Sequence, residues 1–468
     1  MNNRKTKIIS TLGPATDSPE KIRELIEAGA NIFRLNMSHA SHPWTREVVD
    51  RIRTQSGGCG ISVATLIDLQ GPSIRTGDVE GKLQLSRGDT VEFRNADLEP
   101  STEVSVTTNY HELHEDVSVG DVMLVDNGEI HFEIRRIDPG RLICEVLTDG
   151  EMGSRRHINL PGIRVNLPPL TKKDMLDLEI AAELQVDFIA ISFVRDAEHI
   201  RFLREQLAEK DCHARIVAKI EDQEAVKNLS EIILESDAVM VARGDLGIEV
   251  HIEELPVVQR AILKEAARIG RKVIVATHML ESMVENPVPT RAEVTDVANA
   301  VYEQADAVML SGETSVGQYP VKCIDVLDRI ARRMEREPGA GFSRGIELRT
   351  EKQHTVKSAV VLANSLKDSK IIVFTARGVL ANYAAHQRPD HSPIYAFSPD
   401  EGVIRALHMN RGVFPFEMEF AELPEDSIRK AIDFLKGKEK IESGDPVVIL
   451  SDVLGGAFDT DAILLRRA

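Results

Sequence analysis

The chain has 468 residues, of which 42% are hydrophobic and 4% aromatic, and its formal net charge at pH 7 is −18. This length predicts two to four domains with substantial aliphatic cores. The acidic balance argues against nucleic acid or a membrane surface as a partner, so an anionic ligand would need cations gathered locally.

Targeting and redox signals favour the cytoplasm. No run approaches the roughly 20 apolar residues that a membrane helix needs, and the charged N-terminus leads into a strand rather than a signal-peptide core. The cysteines form no C-x-x-C pair, which predicts reduced thiols in a reducing compartment. They are Cys59, Cys144, Cys212 and Cys323.

The first 71 residues alternate short apolar strands with amphipathic helices. Strands are predicted at 7–11, 31–35 and 62–68, with one helix over 18–28 and another after Pro43. Gly29 ends the first helix. Strands that alternate with helices predict a parallel sheet with the helices outside.

The pattern changes at residue 72. Residues 72–169 are rich in turn signals, such as Asn127-Gly128, and few stretches have helical periodicity. Alternating apolar and polar segments lie between the turns. This region therefore predicts a separate all-β insertion, which we interpret as a β-barrel lid domain.

The α/β rhythm resumes at residue 170. Predicted strands at 188–192, 216–219, 238–241, 273–276 and 307–310 bring the total to eight, the number of a closed (β/α)8 TIM barrel. Two of these strands start with nearly identical residues, Asp237-Ala238-Val239-Met240 and Asp306-Ala307-Val308-Met309, which form a faint internal repeat. Thr290 and Glu293 predict a capping box on the helix before the last strand.

A second α/β unit follows a Pro- and Gly-containing linker near 336–344, with predicted strands at 371–374, 394–397 and 447–450. The predicted fold class is therefore α/β with three parts. A (β/α)8 TIM barrel covers 1–71 and 170–338, an inserted all-β lid domain covers 72–169, and a C-terminal α/β domain covers 339–468.

Polar and charged residues recur at the carboxyl ends of the predicted barrel strands, where barrel enzymes place their chemistry. Strand ends also exit to solvent and are commonly polar, so no single position decides between the two explanations. The set as a whole favours a functional site. Its members are Arg34, Asn36, Ser38, Asp68, Ser192, Lys219, Glu221, Arg243, Asp245, Thr277, Ser311 and Glu313.

Two motifs in this set point to a metal and a phosphate. Lys219 and Glu221 share a face because a strand has side-chain period two, and Arg243 and Asp245 repeat the spacing. The pattern predicts two carboxylates and two cations around one point. Oxygen ligands without His or Cys favour magnesium or manganese at Glu221 and Asp245. An ion-pair network with Lys219 and Arg243 is the alternative, and the two interpretations are compatible.

Other residues of the set suit a phosphate ligand. Lys219 would place positive charge beside a phosphoryl group in transfer, and backbone amides at 244–247, before a predicted helix, could hold an anion. Arg34 suits phosphate by its forked geometry, and Asn36 and Ser38 share its face if the strand continues. His39 is either a nucleotide contact or a helix-entry residue.

The first hinge of the insertion lies beside these residues. Asp68 and Arg75 bracket the point where the β insertion leaves the barrel. A hinge next to a site predicts a lid that excludes water, which matters when a phosphoryl acceptor competes with hydrolysis.

Together these motifs resemble the pyruvate kinase family over nearly the whole chain. The matching stretches are 7–14, 34–39, 68–77, 159–162, 218–221, 240–249, 276–282, 289–300 and 309–314. The resemblance implies a barrel A domain, a β lid (B) and a C-terminal regulatory domain (C). It also implies a homotetramer that transfers the phosphoryl group of phosphoenolpyruvate to ADP, in the last step of glycolysis.

The resemblance also implies roles for individual residues. Arg34 would contact the transferring phosphate, Lys219 would stabilise it, and Thr277 would lie near the face that is protonated. The carried-over sets are Gly244, Asp245 and Thr277 for the phosphoenolpyruvate carboxylate; Arg34, His39, Arg75 and Lys173 for the nucleotide; Glu221 and Asp245 for the divalent metal; and Asn36, Ser38, Asp68 and the Leu69 carbonyl for a monovalent cation.

The first hinge departs from the commoner family pattern. Members that need potassium usually have Asp-Thr-Lys-Gly-Pro-Glu there, whereas this chain has Asp68-Leu69-Gln70-Gly71-Pro72-Ser73. The missing Glu removes a carboxylate that a monovalent cation would help to offset. Leu-Gln is typical of the potassium-independent branch, although that branch often has Lys in place of Ser73. We hypothesise that potassium is not required.

The effector loop departs as well. Relatives activated by sugar phosphates have a hydroxyl-rich Thr-x-Ser-Gly-x-Ser/Thr loop, whereas this chain has Thr375-Ala376-Arg377-Gly378-Val379-Leu380. Arg377 either pairs with an anion or is simply solvated. We expect fructose 1,6-bisphosphate to activate weakly or not at all. Near the substrates, Met37, Ala40 and His278 replace the usual Phe, Gly and Gln.

Two other functions share parts of this pattern. Lyases and mutases that act on phosphoenolpyruvate-like acids also use Glu and Asp at strand ends with magnesium, but they lack the lid and the nucleotide cluster. A catalytically silent metabolite sensor on the same fold would be favoured by loss of Lys219 or Glu221, and both are present.

Overall fold

The computed structural model describes residues 4–451 and 462–468, so the part of the predicted C-terminal domain at 452–461 lies outside the described residues. Ser18 caps the first helix by accepting from the Lys21 amide, and Gly29 ends it at φ 110°. The predictions for this segment are confirmed within one or two residues. Its elements are β1 (Lys7–Thr11), α1 (Pro19–Ala28), β2 (Ile32–Asn36), α2 (His42–Cys59) and β3 (Ala64–Asp68).

The insertion is built almost entirely from strands. A six-stranded sheet in the order β11-β7-β8-β9-β5-β6 lies beside a two-stranded ribbon, β10-β4. Phe93 and Phe132 pack edge to face in its core, with ring centroids 5.0 Å apart. The elements are β4 (Leu83–Leu85), β5 (Thr90–Arg94), β6 (Ser105–Thr107), α3 (Leu113–Asp116), β7 (Val122–Val125), β8 (Ile130–Asp138), β9 (Arg141–Val146), β10 (Gly150–Met152) and β11 (Ile158–Asn159).

The chain then returns to the barrel, and Thr290 and Glu293 form the predicted capping box. The elements are α4 (Lys172–Glu183), β12 (Phe188–Ile191), α5 (Ala197–Glu209), β13 (Arg215–Ile220), α6 (Gln223–Lys227), α7 (Leu229–Glu235), β14 (Ala238–Ala242), α8 (Arg243–Glu249), α9 (Leu255–Ile269), β15 (Lys272–Ala276), a 3-10 turn (Glu281–Val284), α10 (Arg291–Tyr302), β16 (Ala307–Leu310), α11 (Gly312–Ser315) and α12 (Pro320–Met334).

Eight parallel strands close into a barrel in the order β1-β16-β15-β14-β13-β12-β3-β2. All residues of β1, β3 and β14 are buried, because one face packs inside the barrel and the other against the helices. The predicted TIM barrel is confirmed.

The internal repeat has a structural basis at the amino ends of the strands. The residue just before every second barrel strand is an Asp or Asn. Its side chain accepts a hydrogen bond from one backbone amide near the start of the preceding barrel strand. The pairs are Asn31 with Ile8, Asp187 with Thr65, Asp237 with Ile216 and Asp306 with Val273, at 2.8–3.0 Å. The barrel is therefore built from four similar two-strand units.

The C-terminal domain is a five-stranded sheet in the order β19-β18-β17-β20-β21. The three predicted strands are confirmed, and two more flank them. Pro415 obscured β19 in the sequence, and β21 is the one antiparallel edge of this sheet. The elements are a 3-10 turn (Phe342–Gly345), α13 (Glu351–Ser365), β17 (Lys370–Phe374), α14 (Val379–His386), β18 (Ile394–Ser398), α15 (Glu401–Leu407), β19 (Val413–Glu417), α16 (Pro424–Gly437), β20 (Pro446–Ser451) and β21 (Ala462–Arg467).

This domain docks against the amino end of the barrel. Met409 and Ala406 join the core inside the barrel strands. Arg405 pairs with Asp187 at 2.8 Å, and Arg388 pairs with Asp306 at 2.5 Å. Two of the acidic residues that cap barrel strands thus also hold the C-terminal domain, on the face away from the strand ends that carry the candidate site.

Among the described residues, no helix is long and apolar enough to cross a membrane. The four cysteines all have free thiols, and three of them are buried.

Candidate active site

Lys219 is at the centre of a buried cluster at the carboxyl ends of the barrel strands. Its Nζ lies 2.8 Å from Glu221 Oε1 and 3.4 Å from Asp68 Oδ1, and it donates to Ser192 Oγ at 2.7 Å. Arg34 Nε donates to the other oxygen of Asp68 at 2.7 Å. The structure therefore brings together residues from four strand ends that the sequence had singled out.

The charges of this cluster are unbalanced. Burial would lower the pKa of Lys219, but Asp68, Glu221 and Asp245 outweigh it and raise that pKa above its usual value. Burial would raise the pKa of Asp68, but Lys219 and Arg34 hold it below its usual range. Three carboxylates thus share two cations.

Glu221 carries the uncompensated charge. Burial raises its pKa to about 7, and the Asp245 carboxylate adds to that rise against the pull of Lys219. Its Oε1, like Asp68 Oδ1, is buried, and among the described residues both oxygens depend on the one ammonium of Lys219. A cation beside Glu221 and Asp245 would restore the charge balance.

These donors suit magnesium or manganese. Within 4–451 and 462–468, no three His, Cys, Asp or Glu side chains converge as a protein-only metal cage. Mg²⁺ commonly binds through one or two carboxylates and completes its shell with substrate oxygens and water. Glu221 and Asp245 therefore fit a divalent metal that is shared with a bound substrate.

Arg243 does not join the cluster, contrary to the sequence prediction. The chain turns from β14 directly into α8 at Arg243, so the strand period of two no longer applies and Arg243 and Asp245 diverge. A helix was predicted to follow residues 244–247, but α8 includes these residues. The Arg243 guanidinium pairs with Asp296 at 2.7 Å instead of the metal-site carboxylates.

Arg243 supports the loop that carries Thr277. It donates to the carbonyl oxygens of Ala276 and Thr277 at 3.1 and 2.5 Å. Thr277 and His278 both have positive φ, 66° and 53°, a left-handed conformation that costs free energy in residues other than glycine. The guanidinium therefore fixes a strained loop beside the site.

Thr277 faces the start of α8. Its Oγ1 accepts from the Gly244 amide at 2.9 Å and donates to the Ala276 carbonyl at 2.7 Å. A Cβ added to Gly244 would lie 3.8 Å from the Thr277 side chain. Thr277, Gly244 and Asp245 thus lie together, as the sequence predicted.

The four residues predicted for a monovalent cation are engaged with protein groups. The strand ends at Asn36 and Ser38 lies in a turn, so the expected shared face is absent, and Asn36 Oδ1 accepts from the Ser38 amide at 3.1 Å. The Leu69 carbonyl accepts from Ser192 Oγ at 2.8 Å. Asp68 is paired with Arg34 and Lys219.

The predicted nucleotide residues lie on three segments around the first hinge. His39 is exposed in the turn after β2. Arg75 donates to Ser73 Oγ at 3.2 Å on the lid side of the hinge. Lys173, in the first turn of α4, donates to the Met37 carbonyl and to Asp177, both at 2.7 Å.

Three residues near the site escaped sequence analysis because they act across long chain distances. His157, from the lid, lies 4.0 Å from Asp245 through its Nδ1. Asn159 donates to Glu249, 90 positions away, at 3.1 Å. Asn159 and Glu249 fall in two of the stretches that matched the family, which was the only sequence signal for them.

Comparisons with known proteins agree with this geometry. A family model described as "Pyruvate kinase, barrel domain" matches residues 3–324, and "Pyruvate kinase, alpha/beta domain" matches 353–464. The chain is 39% identical to pyruvate kinase isozyme G, chloroplastic, of Nicotiana tabacum, over 96% of this chain and 80% of that protein. It is also 39% identical to pyruvate kinase of Geobacillus stearothermophilus, over 96% and 78% of the two chains.

A solved structure supports the same conclusion. The crystal structure of a pyruvate kinase from Cryptosporidium parvum matches with a TM-score of 0.94 at 31% identity, over 99% of this chain and 96% of that one. The fold and the site thus define a phosphotransferase built on an α/β barrel with a β lid and a C-terminal α/β domain. The chain belongs to the pyruvate kinase family.

Proposed function

We propose that this protein transfers the phosphoryl group of phosphoenolpyruvate to ADP and releases pyruvate and ATP. The observation that carries the proposal is the buried group of Lys219, Glu221 and Asp68 at the barrel strand ends, in a chain of this family. Cations fixed in a buried site stabilise a transferring phosphoryl group without reorganisation.

Lys219 and Arg34 carry out the electrostatic part of the reaction. Lys219 remains charged because carboxylates raise its pKa, and it is held in place by Glu221 and Ser192. Arg34 is oriented by Asp68 and by Thr11 Oγ1, at 3.1 Å. Both therefore present fixed positive charge to the equatorial phosphoryl oxygens.

Glu221 and Asp245 would hold the divalent metal, Mg²⁺ or Mn²⁺. When bound, this ion polarises substrate oxygens and neutralises the charge that develops on them. Gly244, Asp245 and Thr277 would receive the phosphoenolpyruvate carboxylate. Thr277, fixed by the supported loop, would lie beside the enolate face that takes up a proton.

Arg34, His39, Arg75 and Lys173 would bind the nucleotide phosphates. Arg75 lies where the chain enters the lid, and it forms an isolated antiparallel β-bridge with His157, just before β11. Lid movement would therefore carry a nucleotide contact with it. Closure would also exclude water, so that ADP rather than hydrolysis accepts the phosphoryl group.

We also propose that potassium is not required. Asp68 already has two cationic partners, Arg34 and Lys219, at 2.7 and 3.4 Å. Ser73 stands where potassium-dependent relatives carry Glu. The hinge therefore lacks the carboxylate that a monovalent cation would offset.

The active form is proposed to be a cytoplasmic homotetramer with domain limits of 1–71 plus 170–338, 72–169 and 339–468. Exposed apolar side chains on the segment from α8 to α10 support self-association: Ile252, Val257 and Val288 are 71%, 60% and 62% exposed. Light scattering during size-exclusion chromatography measures the stoichiometry. A monomer at micromolar concentration would exclude the tetramer.

The C-terminal domain is proposed as the regulatory domain, with weak or no activation by fructose 1,6-bisphosphate. The loop after β17 keeps Thr375, whose Oγ1 accepts from the Gly378 amide at 3.1 Å, but lacks the later hydroxyls. A sharp fall in the half-saturating phosphoenolpyruvate concentration on adding this sugar bisphosphate would contradict the proposal.

The deciding experiment is pyruvate formation from phosphoenolpyruvate and Mg²⁺, with and without ADP, in potassium-free buffer. The proposed function requires turnover that depends strictly on ADP and yields ATP in equal amount. Turnover without ADP would indicate a lyase or mutase on the same barrel. No turnover under any condition would indicate a silent sensor.

A further inference from the structure

The short helix α8 connects the candidate site to the lid. Its first turn carries Gly244 and Asp245, and its last residue is Glu249. A helix rises about 1.5 Å per residue, so Glu249 lies about 6 Å along the axis from Asp245 on one rigid element. A displacement of one end therefore displaces the other.

The lid approaches this helix at three points. Gly128, in the lid turn before β8, lies close to Ile248, since a Cβ built on this glycine would be 3.4 Å from Ile248 Cγ2. His157 Nδ1 approaches Asp245 Oδ1 at 4.0 Å, and Asn159 Nδ2 donates to Glu249 Oε1 at 3.1 Å. The lid thus lies along the helix from Asp245, in its first turn, to its last residue, Glu249.

The contact between Asn159 and Glu249 is the buried one. The two residues are 5% and 8% exposed, and Asn159 belongs to β11, which pairs with β7 in the main lid sheet. Burial raises the pKa of Glu249 to about 7, against the effect of its hydrogen bond from Asn159. An amide donor at this depth stabilises the carboxylate and fixes its direction.

Glu249 also reaches the strand end that carries Glu221. Its backbone carbonyl accepts from Gln223 Nε2 at 2.5 Å, and Gln223 begins α6, two positions after Glu221. One residue therefore connects the lid, the helix with Asp245 and the loop with Glu221.

A cavity of about 320 Å³ borders this contact and is lined in part by Asn159, Glu221, Gln223 and Glu249. Asn159 Oδ1 is buried without a hydrogen bond from any described residue. The hydrogen bond from Asn159 to Glu249 is thus a buried polar contact between the lid and the barrel at the edge of this cavity.

We propose that Glu249 is a positioning residue that couples the lid to the two metal-binding carboxylates, through Asn159 on one side and α8 and Gln223 on the other. The inference rests on the proposed function, because it assumes that Glu221 and Asp245 bind the metal. In this role Glu249 acts through its contacts with Asn159 and Gln223 and through α8.

The test compares Glu249→Ala, Glu249→Gln, Asn159→Ala and the double variant with a matched control, Glu253→Ala. The Glu253 side chain is exposed, four residues beyond the end of α8. Mn²⁺ binding is measured directly by electron paramagnetic resonance, without turnover. The KM for phosphoenolpyruvate, kcat and hydrogen exchange of the lid backbone complete the set.

Glu249→Ala is expected to weaken Mn²⁺ binding and raise the KM about fivefold to tenfold, the range for loss of one buried hydrogen bond, with faster exchange in the lid. Glu249→Gln still accepts from Asn159 and should stay within about twofold of the wild type. Asn159→Ala should reproduce Glu249→Ala without altering α8, and the double variant should be no worse than the single ones.

Mn²⁺ binding by Glu249→Ala equal to that of Glu253→Ala would overturn the inference. So would effects of the two single variants that multiply in the double variant. If Glu249→Ala does not fold, Asn159→Ala decides. Failure of the proposed function can be told apart from failure of this inference. In the first case the wild type makes no pyruvate, whatever the Mn²⁺ binding of the variants.

Discussion

The ammonium of Lys219 lies 2.8 Å from Glu221 Oε1 and is shared with Asp68. One buried cation therefore fixes two carboxylates at the ends of β13 and β3, strands that flank β12 in the barrel. Its position is fixed by protein groups, namely these two carboxylates and the hydroxyl of Ser192. Such preorganisation is what lets a cation stabilise a transition state more than the ground state.

Replacing Lys219 by Met should lower kcat about 10²- to 10³-fold, because a fixed charge at the transferring phosphoryl group is lost. It should also lower the free energy of unfolding by about 3 to 5 kcal/mol, since Asp68 and Glu221 lose their shared partner. Steady-state kinetics and urea unfolding measure the two effects. Lys227→Met, at an exposed site on α6, is the control, and equal kcat values in the two variants would exclude the role of Lys219.

Removing one of the proposed metal ligands should weaken divalent binding without unfolding the protein. Glu221→Gln keeps the shape of the side chain but removes its charge, so we expect Mn²⁺ affinity to fall at least about tenfold. Binding is followed by electron paramagnetic resonance, with Glu231→Gln at an exposed position on α7 as control. Unchanged affinity in Glu221→Gln would move the metal site elsewhere.

Arg243 should affect substrate binding although it lies outside the charged cluster. Lys in its place cannot bond the Ala276 and Thr277 carbonyls and Asp296 together, so the left-handed loop at Thr277 should relax. We expect the KM for phosphoenolpyruvate to rise about tenfold, the effect of roughly 1.4 kcal/mol. Arg291→Lys, at an exposed site on α10, is the matched control. A KM that is equal in both variants would show that the loop needs no such support.

One substitution at the hinge, Ser73→Glu, should introduce potassium dependence. The wild type should turn over fully in potassium-free buffer, whereas Ser73→Glu adds a carboxylate near Arg75 and should make turnover respond to potassium. Sodium at equal ionic strength is the control for general salt effects. Strong activation of the wild type by potassium would discard the hypothesis.

Acid should weaken the fold through His408. Burial, with Lys7 nearby, lowers its pKa to about 3 from 6.5. Between these values the unfolded chain binds a proton that the folded chain does not, so stability is complete above pH 6.5 and falls as the pH decreases.

The free energy of unfolding should thus fall by about 2 kcal/mol more between pH 7 and 5 in the wild type than in His408→Gln. Urea unfolding at the two pH values measures this difference. Parallel pH dependence in the two proteins would refute it.

Much of the fold was predictable because its signals are local. Largely apolar runs of four to seven residues gave all eight barrel strands, and Gly29 and Thr290 marked helix ends within one turn of the chain. Strand β19 was missed because Pro415 breaks the local pattern, although the neighbouring strand β18 still pairs with it along its whole length.

The sequence by itself predicted the α/β barrel and the lid insertion, because strand and turn patterns are local. Its short motifs singled out Lys219, Glu221, Asp245 and Thr277 as candidate site residues. Only the tertiary structure decided that Arg243 turns away from the cluster. A helix begins at that residue. Side chains two positions apart point the same way in a strand but in different directions in a helix. The contact of Asn159 with Glu249 likewise depends on the lid folding back over the barrel, which no local pattern specifies.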